Sequence, residues 1–326
     1  MFLYVFFIFL IFELPDARWG RAPIPAQVAG LSALVSLDAS ENTLKACPPS
    51  LPASLVSLDL SDNQIDDVPA SLLQPLVNLE TLMLFKNALG QGGKKGLPEE
   101  ISALSKLSEL NVFNNKLIKL PKGLGECAGL TVLNAGGNKI KTLPKTDTWT
   151  KLVELKAHQN GLIMLPGLET LGALETFKLD MNRALSQLPA INTTSLTFWE
   201  TSMCRLEALP DGLATAANLV TLNCGGNKLA SLPALDLPAL EIFNVSSNEL
   251  TALPDDLAKC SKLRTLFFAS NKVEKIPESF AGLLPSIQRF NCSGQKNAGG
   301  PVVLEMTATL EAIKDACEKH DGRFIV

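Results

Sequence analysis

The chain has 326 residues, 46% of them hydrophobic, and a formal net charge of −4 from 29 basic and 33 acidic side chains. A balance this small and mixed in sign leaves no basic stripe of the kind a nucleic-acid surface needs, and no like-charge tail. The apolar content is ample for one continuous core.

Met1-Phe-Leu-Tyr-Val-Phe-Phe-Ile-Phe-Leu-Ile-Phe12 is uniformly apolar and ends at Glu13. Twelve residues are too few to span a bilayer, but they suit the apolar stretch of a secretory signal. No basic residue precedes the run, and Arg18 and Arg21 come after it where a small-x-small cleavage site is expected. Residues 1–27 therefore stand apart. They are a signal core, a shallow membrane anchor, a segment outside the functional protein, or a stretch packed on the start of the region 28–297.

Over residues 28–297 one phrase recurs, as in Leu79-Glu-Thr-Leu82-Met-Leu84-Phe-Lys-Asn87-Ala-Leu89. Anchored on its second apolar position, the copies fall at Leu37, Leu58, Leu82, Leu110, Leu133, Leu155, Phe177, Trp199, Leu222, Phe243, Leu266 and Phe290, at steps of 21–28 residues. That range excludes the longer helical repeats. The alternation Leu82-Met-Leu84 is a short strand with both leucines turned inward. The asparagine after it can donate and accept, so it can satisfy backbone groups opened by the turn. Cys204 takes this slot in the eighth unit. Gln295 takes it in the twelfth, where the pattern is expected to dissolve.

A Leu-Pro (or Val-Pro, Ile-Pro) step comes next, at Pro69, Pro98, Pro121, Pro144, Pro166, Pro189, Pro210, Pro233, Pro254 and Pro277. Proline fixes φ and lacks a donor, so the strand cannot continue there. Stretches such as Glu99–Leu107 have the spacing of one or two helical turns. Pro238 and the short Pro189–Leu196 segment predict irregular coil instead.

Two departures punctuate the array. Gly90-Gln-Gly-Gly-Lys-Lys-Gly96 is inserted before Leu97-Pro98 and reads as a mobile, exposed loop; it satisfies neither phosphate-loop pattern. Residues 298–326 read as a carboxy-terminal cap. A helix is expected from Leu304 to His320 with Met306, Leu310, Ile313 and Cys317 on one apolar face. Arg323–Val326 could then dock as a final strip.

The Leu-x-x-Leu-x-Leu-x-x-Asn-x-Leu-x-x-Leu-Pro phrase resembles the short repeats of the leucine-rich-repeat family, specifically those of the plant intracellular Ras-group-related proteins and the Scribble-type and Ras-pathway scaffolds. The resemblance covers about Leu31 to Asn297. The repeat phrase itself predicts an α/β solenoid, a curved horseshoe of about twelve repeats, with a parallel sheet on its concave face and short helical or 3-10 turns on its convex face. The resemblance implies protein binding through the inner sheet, no cofactor and no catalysis. A scaffold or adaptor in signalling is expected, acting as a monomer; the alternative is a secreted or cell-surface recognition protein.

Cys47, Cys127, Cys204, Cys224, Cys260, Cys292 and Cys317 are spread along the chain and read as small buried hydrophobes in a reducing, cytoplasmic setting. The sequons at Asn192, Asn244 and Asn291 are as many as chance supplies, and two of them lie on strands. His158 and His320 are far apart, and no metal-ligand spacing or nucleophile elbow occurs. No metal, cofactor or nucleic acid is expected.

A partner's contacts can be read from the register. Positions pointing away from the core are mostly small or polar, so the exceptions mark candidate contacts. Met83, Phe85 and Phe113 form one apolar group. Glu154, Lys156 and His158 share one strand face. Lys178, Asp180, Phe198 and Glu200 form a further group, and Phe267 stands alone. Trp199 and Phe177 take inward slots and belong to the core.

Overall fold

A computed structural model of the chain describes residues 13–14 and 23–326. Met1–Phe12, the apolar run, lies outside the described residues. The chain divides into two units, residues 1–160 and 161–326.

In the first unit the strands are β1 (Glu13–Leu14), β2 (Ser36–Asp38), β3 (Ser57–Asp59), β4 (Thr81–Met83), β5 (Glu109–Asn111), β6 (Val132–Asn134) and β7 (Glu154–Lys156). Each pairs in parallel with the next, in register: Leu37 faces Leu58, Leu58 faces Leu82, and so on to Leu133 and Leu155. β1, which the repeat phrase does not predict, adds to β2 through Glu13–Ser36 and Leu14–Leu37. Among the described residues of this unit only α1 (Ala70–Leu73) is α-helical; Glu99–Ala103 and Lys122–Glu126 are 3-10 turns.

The second unit holds β8 (Thr176–Lys178), β9 (Phe198–Glu200), β10 (Thr221–Asn223), β11 (Ile242–Asn244), β12 (Thr265–Phe267) and β13 (Arg289–Asn291), again parallel and in sequence order. Its 3-10 turns are Asp211–Thr215, Asp255–Lys259 and Glu278–Leu283. Pro189–Leu196 and the stretch around Pro238 carry no helix, as their prolines predict. The central residue of every strand from β2 to β13 is buried, and in the second unit Phe177 and Trp199 pack with ring centroids 4.8 Å apart.

The asparagines act as clamps between repeats. Asn115 donates from Nδ2 to its own repeat at Val112 O (3.0 Å) and to the preceding repeat at Leu84 O (2.9 Å), and its Oδ1 accepts from Leu89 N (2.9 Å). Asn63, Asn87, Asn138 and Asn160 repeat this arrangement in the first unit, as do Asn227, Asn248 and Asn271 in the second. The expectation that the pattern dissolves at Gln295 is corrected. Gln295 is 1% exposed and makes the full set, donating to Phe268 O and Cys292 O and accepting from Val273 N. One extra methylene still reaches the same three groups.

Cys204 can donate, and its thiol points at Leu179 O (3.5 Å). A thiol is a poor acceptor, so the preceding repeat solves its own donor. One extra residue there lets Leu185 N turn back onto Asn182 O (3.0 Å).

The carboxy-terminal cap differs from expectation at its start. Helix α2 runs Ala308–Lys319, because Thr307 caps it by accepting from Leu310 N (3.3 Å). Leu310, Ile313 and Cys317 are buried, but Met306 precedes the helix and is 45% exposed, so it is no part of that face. A two-stranded ribbon, β14 (Lys296–Asn297) and β15 (Gly300–Pro301), leads into it. Arg323–Val326 docks as β16 (Arg323–Ile325), parallel to β13, with the Phe324 ring stacked on Phe290 at 6.0 Å.

Candidate functional site

The strand residues that flank each buried centre, with the residue two places beyond each strand, form the open face of the sheet. The predicted contact residues all lie on it, and all are half-buried rather than freely exposed. In the first unit Phe85 and Phe113 occupy the same place in adjacent repeats. Phe113 meets the His158 ring at 5.6 Å between centroids, across Gly136, where any side chain would run into the imidazole. Phe85 lies beside Lys86, whose Nζ is 6.0 Å from the ring centroid and 2.9 Å from Asp62 Oδ2. Glu154 and Lys156, two apart on β7, form an ion pair.

In the second unit Lys178 Nζ stands 3.1 Å from Asp180 Oδ1. Glu200 is tied down by its neighbours: Oε1 accepts from Ser202 N and Oγ, and Oε2 from Asn223 Nδ2 (2.8 Å). Phe198 and Phe267 open and close their respective strands.

A regularity runs through this face. The third residue of the strand in eight repeats is Asp38, Asp59, Asn111, Asn134, Glu200, Asn223, Asn244 or Asn291, and its side chain accepts from the amide two residues on. This closes the strand end locally. The four exceptions are Met83, Lys156, Lys178 and Phe267, which carry no acceptor or, for Met83, only a weak thioether one.

The thiols are chemically quiet. Burial pushes Cys127, Cys204 and Cys317 up to about 11, and Cys47 and Cys292 to about 12; Cys224 and Cys260 are also raised. All seven are free, and six are buried. Among the described residues, no cluster of three His, Cys, Asp or Glu could hold a metal ion, and no helix is long and apolar enough to cross a membrane.

A family model described as a leucine-rich repeat matches residues 52–73. The fold is that of the leucine-rich repeats. A leucine-rich-repeat protein of Leptospira interrogans superposes with a TM-score of 0.62 at 22% identity, over 96% of this chain and 89% of its own. The functional domain of InlJ from Listeria monocytogenes gives 0.68 at 23% identity, over 83% of this chain and 60% of that one. The ectodomain of the Arabidopsis receptor kinase HAESA, in complex with a peptide hormone ligand, gives 0.59 at 22% identity, over 85% and 49%. No curated protein matches the sequence. Likeness at these identities carries the fold, and the leucine-rich-repeat fold is typical of protein-interaction domains.

Two features of these leucine-rich repeats escape the sequence reading. The residue before each asparagine slot has a left-handed backbone, at φ between 51° and 70° from Glu41 through Lys86, Gln159 and Met203 to Gly294. Gly137, Gly226 and Gly294, and more weakly Asp62 and Asn114, signal it by residue type. The second is the inserted loop, which is anchored rather than mobile. Gly90 N donates to Asp66 O (3.0 Å), Gly96 N to Asp67 Oδ1 (2.9 Å), and Lys94 Nζ pairs with Asp66 Oδ2 (2.7 Å). Gly90 and Gly96 are buried at positive φ against Lys116 O and Leu117, so glycine is required at both ends.

Proposed function

We propose that the chain is a non-catalytic adaptor that binds a protein partner through the open face of its sheet. The observation that carries this reading is the set of four repeats that forgo the side-chain turn. Met83, Lys156, Lys178 and Phe267 each give up a local hydrogen bond contributing about 1 kcal/mol and present a long apolar or cationic side chain on a half-open surface. Stability alone favours Asn at all four, as in Asn111 or Asn223. Contact with a partner favours what is there, with Phe85, Phe113 and Phe198 as aromatic anchors and Glu154, His158, Asp180 and Glu200 as polar surroundings.

Met83→Asn combined with Phe267→Asn tests this. The reading expects unchanged or raised thermal stability and lost capture of the partner from the native source. Undiminished capture by the folded variant would contradict it.

The chain's setting is proposed to be cytoplasmic, as in the intracellular scaffolds its repeat phrase resembles, with a role in signalling. Seven free thiols, six of them buried, support this. A secreted recognition role is favoured only by the Met1–Phe12 apolar run, and HAESA's peptide hormone illustrates what such a role would bind. Amino-terminal sequencing of the mature protein separates the two, since cleavage within residues 15–30 supports secretion.

A further inference from the structure

We propose that the flank of the first unit, beside the glycine loop and off the sheet face, docks an acidic peptide segment. A depression of about 330 Å³ lies there, lined by Gly90 to Gly93, Lys116, Ile118 and Lys139. Lys94, in the same loop, and Lys119 and Lys141, close in sequence to the lining lysines, are also exposed. Of the carboxylates that anchor the loop, Asp66 is paired with Lys94 and Asp67 accepts from Gly96 N. Among the described residues, the ion pairs leave Lys116, Lys119, Lys139 and Lys141 without a carboxylate.

Lys116 and Lys139 come directly after the asparagine clamps of adjacent repeats, Asn115 and Asn138, whose strands lie about 4.8 Å apart. Their backbones are held there by the clamps, so two like-charged side chains start from neighbouring positions, and an anion between them offsets their repulsion. The charges are spread over three repeats rather than focused on one point, and Ile118, 55% exposed, sits among them. Several carboxylates with an apolar side chain between them match that layout; a lone phosphate does not. The anchored loop means that little backbone has to be ordered on binding.

The probe is a fluorescent peptide in which pairs of aspartates alternate with single leucines, read by anisotropy against salt concentration. Wild-type chain is expected to bind it, and Lys116→Glu with Lys139→Glu to weaken binding about tenfold and flatten the salt dependence. Ile118→Ser should weaken this peptide but leave an all-aspartate peptide unaffected. Lys228→Glu with Lys262→Glu, in the second unit, should change nothing. Thermal unfolding of every variant is measured alongside, so loss of fold is separated from loss of binding. The proposal is overturned if wild type does not bind, if the Lys116 and Lys139 variant binds equally, or if asparagine can replace aspartate in the peptide. It is also overturned if a single-stranded oligonucleotide of equal charge binds as tightly, which would mark a generic polyanion surface.

Discussion

Removing one asparagine clamp measures how strongly a repeat is held to its predecessor. Asn115→Ala loses three short hydrogen bonds, those to Leu84 O, Val112 O and from Leu89 N at 2.9–3.0 Å, and a longer one to Phe113 O at 3.4 Å. Asn115 is 2% exposed, so water does not replace it. At about 1 kcal/mol each, with a further penalty for buried groups left unpaired, the loss is about 3–5 kcal/mol. Asn78→Ala is the control, because its two bonds, to Ala53 O and from Lys106 Nζ, are both exposed and together cost about 1 kcal/mol or less. Urea unfolding gives the total, and amide hydrogen exchange locates it. Faster exchange at Leu89 and its neighbours, with distant repeats unchanged, is expected of an array coupled through nearest neighbours. A cost below about 1 kcal/mol, or exchange rising uniformly along the chain, would refute the clamp.

The same geometry sets further outcomes. Gly226→Ala places a methyl in ordinary van der Waals contact with Met203 but at positive φ and should cost about 1 kcal/mol; Gly96→Ala also collides with Leu117 Cδ2 and Gly90 N and should cost more than about 2 kcal/mol. Calorimetry of the two variants compares them. The thiols should resist a disulfide reagent at pH 8 in the native state, and all seven should react in denaturant. Because folding raises their pKa values above the ordinary 9.0, their contribution to stability is complete below pH 9 and is lost as pH rises toward about 12. A stability that increased over that window would contradict their burial.

Most of the fold was legible because each repeat writes the same demands again. Apolar alternation places the strand, the asparagine comes after it, and proline ends the strand. What stayed hidden has physical reasons. The left-handed position tolerates Lys86, Met203 or Ser247 because the amide there continues the ladder into the next repeat, as Lys86 N does with Phe113 O (2.8 Å), so residue type barely marks it. The glycine loop looked mobile because its anchors, Asp66 and Asp67, lie in the preceding repeat. Gln295 looked like decay because its chemistry matches asparagine while its letter does not. On the open face the register placed every candidate residue, but not the meeting of Phe113 with His158, which depends on Gly136 lacking a side chain. The side-chain turns that Met83, Lys156, Lys178 and Phe267 forgo showed only once their counterparts in the other repeats were seen to make them.

Hydrogen exchange of the chain, free and bound to its captured partner, tests the central claim most directly. The account predicts new protection on the strand ends from Thr81 to Phe85, Glu154 to His158, Thr176 to Asp180 and Thr265 to Phe267. Protection confined to the opposite side, at Glu99–Ala103, Asp211–Thr215 and Asp255–Lys259, with those strand ends unchanged, would contradict it.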